Sequence, residues 1–282
     1  MSFRCCGRLD CQRHWLTVAL RYEIHGEGFP VVLLNGLGGN RKDWYEQVPV
    51  FSQHYQTITY DHRGTGDSNK PETGYSIDQF ADDCIGVLDH LDLERVHLVG
   101  YSMGGRIAQA IASRYPDRVA ALVLAATAAK PNALNLYSLK LGAYLYKNYG
   151  PSAAASVGPL VDFTHSYFAK ALPVLVDKLG AVPENPMPLH AFMGHVGAIE
   201  DHDTSGVLGS IRSPTLVVIG DQEWLNPLPD ANALVEGIPD ARLQVITGAS
   251  HGLIVEQPEQ FNQCVLDFFC EYHRLAGGLS LS

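Results

Sequence analysis

Residues 96–109 read VHLVGYSMGGRIAQ and contain the motif on which the interpretation of the whole chain depends. The apolar run Val96–Val99 predicts a buried strand, and the residues after Ser102 predict a helix. Between them, Gly100-Tyr-Ser-Met-Gly104 matches the pattern G-x-S-x-G, in which the glycines permit a sharp turn and the serine stands exposed at the start of a helix. This context predicts that Ser102 is a nucleophile; the alternative is an ordinary turn serine.

The same pattern occurs a second time, at Gly248-Ala-Ser-His-Gly252. This copy also follows a predicted strand, but the next predicted helix begins only near Pro258. A serine in such a loop lacks the helix N-terminus that the elbow geometry requires. We therefore assign the nucleophile to Ser102 rather than to Ser250.

A serine hydroxyl is a poor nucleophile without a base, and His251 occupies the expected position of that base. The chain has 12 histidines, and His251 lies in a loop directly after a late strand. The base is found there when the chain order is serine, acid, histidine. The alternative is a surface loop histidine with no part in chemistry.

Outward from the motif, strands and helices alternate. Strands are predicted at residues 31–34, 57–60, 96–99, 121–125, 215–219 and 242–246. Repeated units of this kind predict an α/β fold with a mostly parallel sheet flanked by helices on both faces. Residues 128–206 form a helical stretch, and we predict a cap over the C-terminal strand edge, where open α/β sheets bind ligands. The core then comprises residues 1–127 and 207–282.

The composition is that of an ordinary globular protein. Of 282 residues, 46% are hydrophobic and 18% are charged, which excludes intrinsic disorder. The net charge of −10 argues against nucleic acid or an anionic membrane as a partner. The longest apolar-rich run, Val119–Ala129, has about 11 residues, whereas a membrane span needs about 20. We expect a small-molecule substrate as the partner; the sequence predicts no oligomeric state.

The cysteines and the N-terminus favour a reducing compartment. The 6 cysteines are spread along the chain without forming a disulfide framework, and the N-terminus lacks the apolar segment of a signal peptide. We therefore expect a cytoplasmic protein. Cys5, Cys6, Cys11 and His14 match no usual zinc spacing, so we predict no metal and no cofactor.

The loop Gly220-Asp-Gln-Glu-Trp224 follows a predicted strand and carries two candidate acids. Here the chain resembles the α/β-hydrolase family, and the resemblance covers nearly all of it. It implies an α/β-hydrolase fold with the helical cap inserted after the sixth strand. The family's usual spacing of the acid from this glycine and from the histidine leads to Glu223, in place of the more common aspartate, and Asp221 is the alternative acid.

Acyl transfer also needs preorganised donors for an oxyanion. The resemblance assigns these, by position, to the backbone N–H groups of Leu37 and Met103. The family commonly has His-Gly where this chain has Asn35-Gly36. Glycine-rich loops also bind phosphates, but no Lys-Ser/Thr pair follows this one and the third spaced glycine of a dinucleotide site is missing.

Two further sets of residues have both a structural and a functional interpretation. Asp61-His-Arg-Gly-Thr-Gly-Asp-Ser68 resembles a family turn, and we predict that it shapes a loop rather than taking part in chemistry. Aromatic residues of the cap either pack against the core or line an apolar pocket. Our candidates for the substrate pocket are Tyr101, Tyr137, Phe168, Phe192, Trp224 and Leu253.

Together these residues predict a serine hydrolase that cleaves a small to medium, partly apolar carboxylic ester or lactone through an acyl-enzyme. Segments 35–39, 60–66 and 127–130 resemble the 3-oxoadipate enol-lactonase and aminoacrylate-hydrolase group. The same scaffold carries carbon–carbon hydrolases of ring-cleavage diketones, which is one alternative. The other, from a different class, is a small-ligand receptor with a hydrolase fold and slow turnover.

Overall fold

A computed structural model describes residues 4–8, 19–181 and 185–275, with side chains from residue 19 onward. The strands are β1 (Arg4–Arg8), β2 (Arg21–His25), β3 (Pro30–Leu34), β4 (Gln56–Tyr60), β5 (Val96–Tyr101), β6 (Val119–Ala125), β7 (Thr215–Gly220) and β8 (Ala241–Ile246). They form one sheet in the order β1-β2-β4-β3-β5-β6-β7-β8. The β1–β2 and β2–β4 pairs are antiparallel, and every pair from β4 to β8 is parallel.

Helices lie between the parallel strands and after the last of them. They are α1 (Val48–Phe51), α2 (Ile77–His90), α3 (Met103–Arg114), α4 (Ala133–Tyr149), α5 (Pro151–Ala155), α6 (Gly158–Asp162), α7 (His165–Asp177), α8 (Leu189–Glu200), α9 (Leu228–Gly237), α10 (Leu253–Glu256) and α11 (Pro258–Leu275). Short 3-10 turns occur at Arg41–Trp44, Pro116–Arg118 and Leu208–Ser210.

The predicted α/β-hydrolase fold is confirmed, and all six predicted strands are present. The sheet also has β1 and β2, which precede the first strand that the sequence predicts. In β2, RYEIH, only one residue is fully buried. Such a strand lacks the continuous apolar run that marks a strand buried on both faces, so the pattern did not reveal it.

Helices cover both faces of the sheet, and the strand residues alternate between two cores. In β3, Val32 and Leu34 join the core under α2, α3 and α9. Val31 and Leu33 join the opposite core, under α1 and α11. Because successive strand residues point to opposite faces, a strand that is apolar throughout supplies both layers.

The Asp61–Ser68 turn holds neighbouring loops together, in agreement with the structural role predicted for it. Asp61 is fully buried and accepts the backbone N–H groups of Arg41 and Asp67, both at 2.8 Å. Arg63 forms a two-bond ion pair with Asp83, with both distances at 2.6 Å. Buried charges of this kind are stable only when they are paired.

The five helices α4 to α8 lie between β6 and β7, after the sixth strand. At their base, the Thr204 N–H donates to Ala129 O at 3.0 Å, so the two ends of the insert meet at the core. The boundaries of the cap at residues 128 and 206 stay a prediction.

No helix among the described residues is long and apolar enough to cross a membrane. Within the same ranges, no group of three or more histidine, cysteine or acidic side chains is arranged to hold a metal ion. Cys5, Cys6, Cys11 and His14, considered above for zinc, lie outside the residues whose side chains are described.

Candidate active site

Ser102 occupies a sharp turn between β5 and α3. Its backbone has φ +54° and ψ −115°, a conformation that is strained for any residue other than glycine. Two hydrogen bonds hold it there: the Ser102 N–H donates to Ala125 O at 2.9 Å, and the Thr127 hydroxyl donates to Ser102 O at 2.8 Å. The turn presents the hydroxyl at the N-terminus of the helix.

Two glycines of the motif are required by close contacts between backbones. A Cβ atom on Gly104 would lie 2.0 Å from Leu34 O, and one on Gly100 would lie 2.4 Å from Gly104 O. Both distances are far below any real carbon–oxygen contact. The pattern G-x-S-x-G therefore lets α3 start directly against the ends of β3 and β5, which fixes where Ser102 projects.

His251 lies between Ser102 and Glu223 and is within hydrogen-bond distance of both. Its Nε2 is 3.0 Å from Ser102 Oγ, and its Nδ1 is 2.8 Å from Glu223 Oε2. The other carboxylate oxygen of Glu223 accepts the backbone N–H groups of Leu225 and Asn226 at 2.8 and 3.1 Å. One oxygen is thus fixed by the backbone while the other is free to orient the imidazole.

Asp221, the alternative acid, and Ser250, the serine of the second motif copy, form hydrogen bonds with groups other than His251. Asp221 accepts the Gly248 N–H at 2.8 Å. The Ser250 hydroxyl donates to Gln222 O at 3.1 Å, so it serves the loop rather than the imidazole.

The charges around His251 favour its protonated form. Burial alone would lower the pKa of His251, but the Glu223 carboxylate, with a smaller contribution from Asp162, outweighs this and raises the pKa above its usual value. Burial, reinforced by the carboxylates of Glu223 and Glu256, also raises the pKa of Asp162, to about 6. A raised imidazole pKa makes His251 a stronger base for a serine hydroxyl.

The two backbone donors predicted for an oxyanion border the same cavity as Ser102 and His251. Among the described residues, the N–H groups of Leu37 and Met103 donate to no other group of the chain. Asn35, which replaces the family's histidine, donates from Nδ2 to Asn40 O at 2.6 Å and so still braces the loop.

A cavity of about 900 Å³ opens over Ser102. It is bordered by the loop at residues 35–43 and by α4, α5, α6 and α8 of the insert. Of the six predicted pocket residues, Tyr101 and Phe192 border this cavity. Its size suits a small to medium organic molecule.

The other four predicted pocket residues do not border this cavity. Tyr137 is 67% exposed and faces away from the core, and Trp224 is 43% exposed and donates from its indole N–H to Val161 O at 3.1 Å. Leu253 is fully buried in the core under α11, and Phe168 packs beside Phe163, with ring centroids 6.5 Å apart.

Three charged residues at this site escaped the sequence prediction. Asp162 and Arg106 border the cavity. Glu256 accepts the backbone N–H of Ser250 at 2.5 Å and that of Thr164 at 2.6 Å, which links the His251 loop to the insert. Arg106 had a signal in the sequence, since it is the one charged residue in the otherwise uncharged stretch between Ser102 and Ser113.

Comparison with known proteins identifies the family of the chain. The profile of the alpha/beta hydrolase fold family matches residues 30–258. The RutD protein of Variovorax paradoxus, named as a carbamate hydrolase, is 32% identical over 88% of this chain and 95% of its own length. 3-Oxoadipate enol-lactonase 2 of Acinetobacter baylyi is 32% identical over 88% of this chain and 92% of its own.

Among solved structures, the enol-lactonase of Burkholderia xenovorans LB400 superposes with a TM-score of 0.82 at 28% identity, covering 90% of this chain and 97% of its own. The family profile, the relatives and the solved structure each match most of the chain. The chain is therefore a hydrolase of the α/β-hydrolase fold family.

Proposed function

We propose that this protein hydrolyses a carboxylic ester or lactone by acyl transfer to Ser102. The observation that supports the proposal most is the continuous contact from Glu223 through His251 to Ser102, with distances of 2.8 and 3.0 Å, beside a cavity of a size that suits a small molecule. A nucleophile, a base and a group that orients the base are the parts that this chemistry requires.

In the first half-reaction, His251 Nε2 accepts the Ser102 proton while Ser102 Oγ bonds to the substrate carbonyl carbon. The carbonyl oxygen becomes an oxyanion and accepts hydrogen bonds from the Leu37 and Met103 N–H groups; each such donor contributes roughly 10²- to 10³-fold in rate. As the carbonyl re-forms, the bond to the leaving oxygen breaks, and protonated His251 gives that oxygen its proton.

In the second half-reaction, water replaces the leaving alcohol. His251 takes a proton from the water, whose oxygen attacks the acyl carbon and displaces Ser102 Oγ, which recovers its proton from His251. Glu223 accepts the hydrogen bond from His251 Nδ1 and stabilises the imidazolium. A lactone follows the same steps, except that its leaving hydroxyl stays attached to the acyl group.

The cavity and the relatives both support the proposed substrate class. Apolar and neutral residues make up most of the cavity border, which suits an acyl chain or ring of moderate size. The names of the relatives specify an enol-lactone and a carbamate, whose carbonyl carbons are open to the same attack. An ester or lactone is therefore our first choice of substrate. We expect the protein to act on this small molecule in the cytoplasm.

The test is a substrate panel of p-nitrophenyl esters, lactones, carbamates and ring-cleavage diketones with the purified protein. We expect multiple turnovers on esters or lactones, and loss of this turnover in Ser102→Ala but not in the matched variant Ser250→Ala. A fluorophosphonate should add its mass to Ser102 alone, as read by peptide mass spectrometry.

Three results would contradict the proposal. Turnover of the diketones alone would move the reaction to carbon–carbon cleavage. A single slow turnover, with a ligand-dependent loss of thermal stability, would indicate a receptor. Unchanged activity in Ser102→Ala would exclude Ser102 as the nucleophile.

A further inference from the structure

Arg106 is a buried cation at the edge of the proposed active site. It lies four residues after Ser102 in α3, one helical turn further along the same face. Its side chain is 2% exposed, and it borders the cavity that also contains Ser102 and His251.

The guanidinium of Arg106 contacts only neutral oxygens among the described residues. One Nη atom donates to Ala128 O at 3.3 Å, and the other donates to the side-chain oxygens of Asn135 and Asn226, both at 3.4 Å. A charge-assisted bond from arginine to a carboxylate is usually about 2.7–2.9 Å long. These contacts are longer, and within the described ranges the Nε–H group of Arg106 donates to nothing.

The other two buried arginines differ from Arg106 in this respect. Arg41 forms ion pairs with Asp61, with Glu23 at 2.8 Å and with Asp67 at 2.9 Å. Arg63 pairs with Asp83. A buried charge is costly without a counter-charge. Arg41 and Arg63 each have a carboxylate partner, and Arg106 has none among the described residues.

Arg106 remains charged in spite of its burial. Loss of hydration lowers the pKa of its guanidinium to about 10, and Asp230 offsets this in part. A pKa near 10 still leaves the group protonated at neutral pH, so a full positive charge lies at the cavity, and none of the described carboxylates, Asp230 included, forms an ion pair with it.

The cavity around Arg106 combines polar and apolar surfaces. Asn135 and Ser138 of α4 add two neutral polar groups, while Leu139, Phe192 and Ile199 supply apolar surface. This combination fits a molecule whose apolar segment ends in a negative group. A planar guanidinium with unused N–H donors matches a carboxylate, which can accept two parallel hydrogen bonds.

We propose that Arg106 is a specificity-determining residue that binds a carboxylate of the substrate, so that the enzyme acts on esters or lactones that carry a second, free carboxylate. This inference rests on the proposed function and adds to it a substrate class. The competing explanation is that Arg106 only positions the loop of Glu223, through Asn226.

The experiment uses matched substrates that differ in one charge. Mono-p-nitrophenyl glutarate is compared with p-nitrophenyl valerate for a carboxylate on the acyl side, and 4-acetoxybenzoate with 4-acetoxytoluene for one on the leaving side. The kcat/KM values are measured for the wild type, Arg106→Met, Arg106→Lys and the control Arg114→Met, which changes an arginine at the solvent-exposed end of the same helix.

We expect the wild type to prefer the anionic member of at least one pair. In Arg106→Met, kcat/KM for that substrate should fall by about 10- to 100-fold, the range for a hydrogen bond to a charged group, with little change for its neutral partner. Arg106→Lys should keep part of the preference because the charge remains, and Arg114→Met should keep all of it.

Two outcomes would overturn the inference and leave the proposed function intact. One is a wild type that hydrolyses neutral members at least as well in both pairs. The other is an equal loss on charged and neutral substrates in Arg106→Met, which would make Arg106 a positioning residue.

A binding measurement tests the same site without turnover. In a Ser102→Ala background, monomethyl glutarate should raise the melting temperature, and the further substitution Arg106→Met should abolish that rise. No rise in the Ser102→Ala protein would count against a carboxylate site even if every ester in the panel resisted hydrolysis.

Discussion

His251 Nδ1 lies 2.8 Å from Glu223 Oε2, whereas Asp221, two residues earlier in the same loop, accepts the N–H of Gly248. The two acids of one loop therefore have different partners. Glutamate has one methylene more than aspartate, and this gives Glu223 the reach to accept two backbone N–H groups with one oxygen and the imidazole with the other. Backbone groups of its own loop therefore fix the Glu223 carboxylate, and the fixed carboxylate orients His251.

Glu223→Gln should lower kcat by about 10²- to 10⁴-fold, because an amide no longer fixes the reactive tautomer of His251 or stabilises the imidazolium. Asp221→Asn should change kcat little, since among the described residues that side chain accepts a hydrogen bond only from the Gly248 N–H. Steady-state kinetics on the best ester of the panel measure both. A large loss of kcat in Asp221→Asn with a small loss in Glu223→Gln would instead identify Asp221 as the acid.

Asp162→Asn should shift the acidic limb of the pH profile to lower pH. Activity requires neutral His251, so kcat/KM falls as the pH decreases through the pKa of His251. The ionised Asp162 carboxylate raises that pKa, and removing the charge lowers it. Because the pKa of Asp162 is itself about 6, the difference should be greatest between that pH and the pKa of His251.

The matched control for this shift is Asp177→Asn. It removes the same charge from an exposed position of the insert and should leave the acidic limb unchanged. Profiles of kcat/KM from pH 5 to 8 measure both variants. A limb that stays in place in Asp162→Asn would show that Asp162 does not act electrostatically on His251.

The sequence predicted the parts of the site that local geometry determines. Ser102 lies in a turn whose glycines are required by close backbone contacts, and the positions of His251 and Glu223 follow from strand ends. The three side chains follow the family's chain order, and His251 contacts both of the others. Their catalytic roles await the experiments above.

The pocket was predicted less well because it depends on which face of each insert helix turns inward. Tyr137 and Tyr146 both lie in α4, nine residues apart, which is two and a half helical turns and therefore opposite faces. Tyr146 borders the cavity, and Tyr137 is exposed. Apolar and aromatic residues occur on both faces of this helix, so no pattern in the sequence distinguishes them.

The sequence also did not predict contacts between residues that are far apart in the chain. Glu256 joins Thr164, which is 92 residues away, and Arg106 contacts Asn226, which is 120 residues away. Neither pair has a spacing that a periodic pattern reveals. Such contacts depend on how the insert and the loops pack in three dimensions.

Gly104→Ala should destabilise the protein and abolish activity. The new Cβ would lie 2.0 Å from Leu34 O, a backbone atom that cannot move aside, so α3 must shift away from the sheet. Overpacking of this kind costs about 1–3 kcal/mol or more of the free energy of unfolding. The displaced helix also takes Ser102 out of reach of His251.

Gly197→Ala is the matched control, since Gly197 lies in α8 and a Cβ there meets nothing within 4 Å. Alanine is the better helix former, so this change should raise the free energy of unfolding by about 0.5–1 kcal/mol. Urea denaturation and ester kinetics on both variants measure the contrast. Equal stability of the two variants would contradict the close approach of α3 and β3.

His195→Gln should make the folded state less sensitive to acid. His195 is fully buried, its Nε2 lies 2.8 Å from Arg63 O, and burial, with His62 and Arg63 nearby, lowers its pKa to about 3. In the unfolded chain a histidine titrates near pH 6.5. Between these values the unfolded chain binds more protons, so stability is full above pH 6.5 and is lost as the pH falls toward 3.

The glutamine amide can still donate to Arg63 O but does not titrate. Below about pH 5.5, the free energy of unfolding of His195→Gln should therefore fall less steeply with pH, by about 1.4 kcal/mol per pH unit, than that of the wild type. Urea denaturation at several pH values from 7 to 4.5 measures the slopes, with the exposed His54→Gln as control. Parallel slopes for wild type and His195→Gln would mean that His195 is protonated in the folded protein as readily as in the unfolded chain.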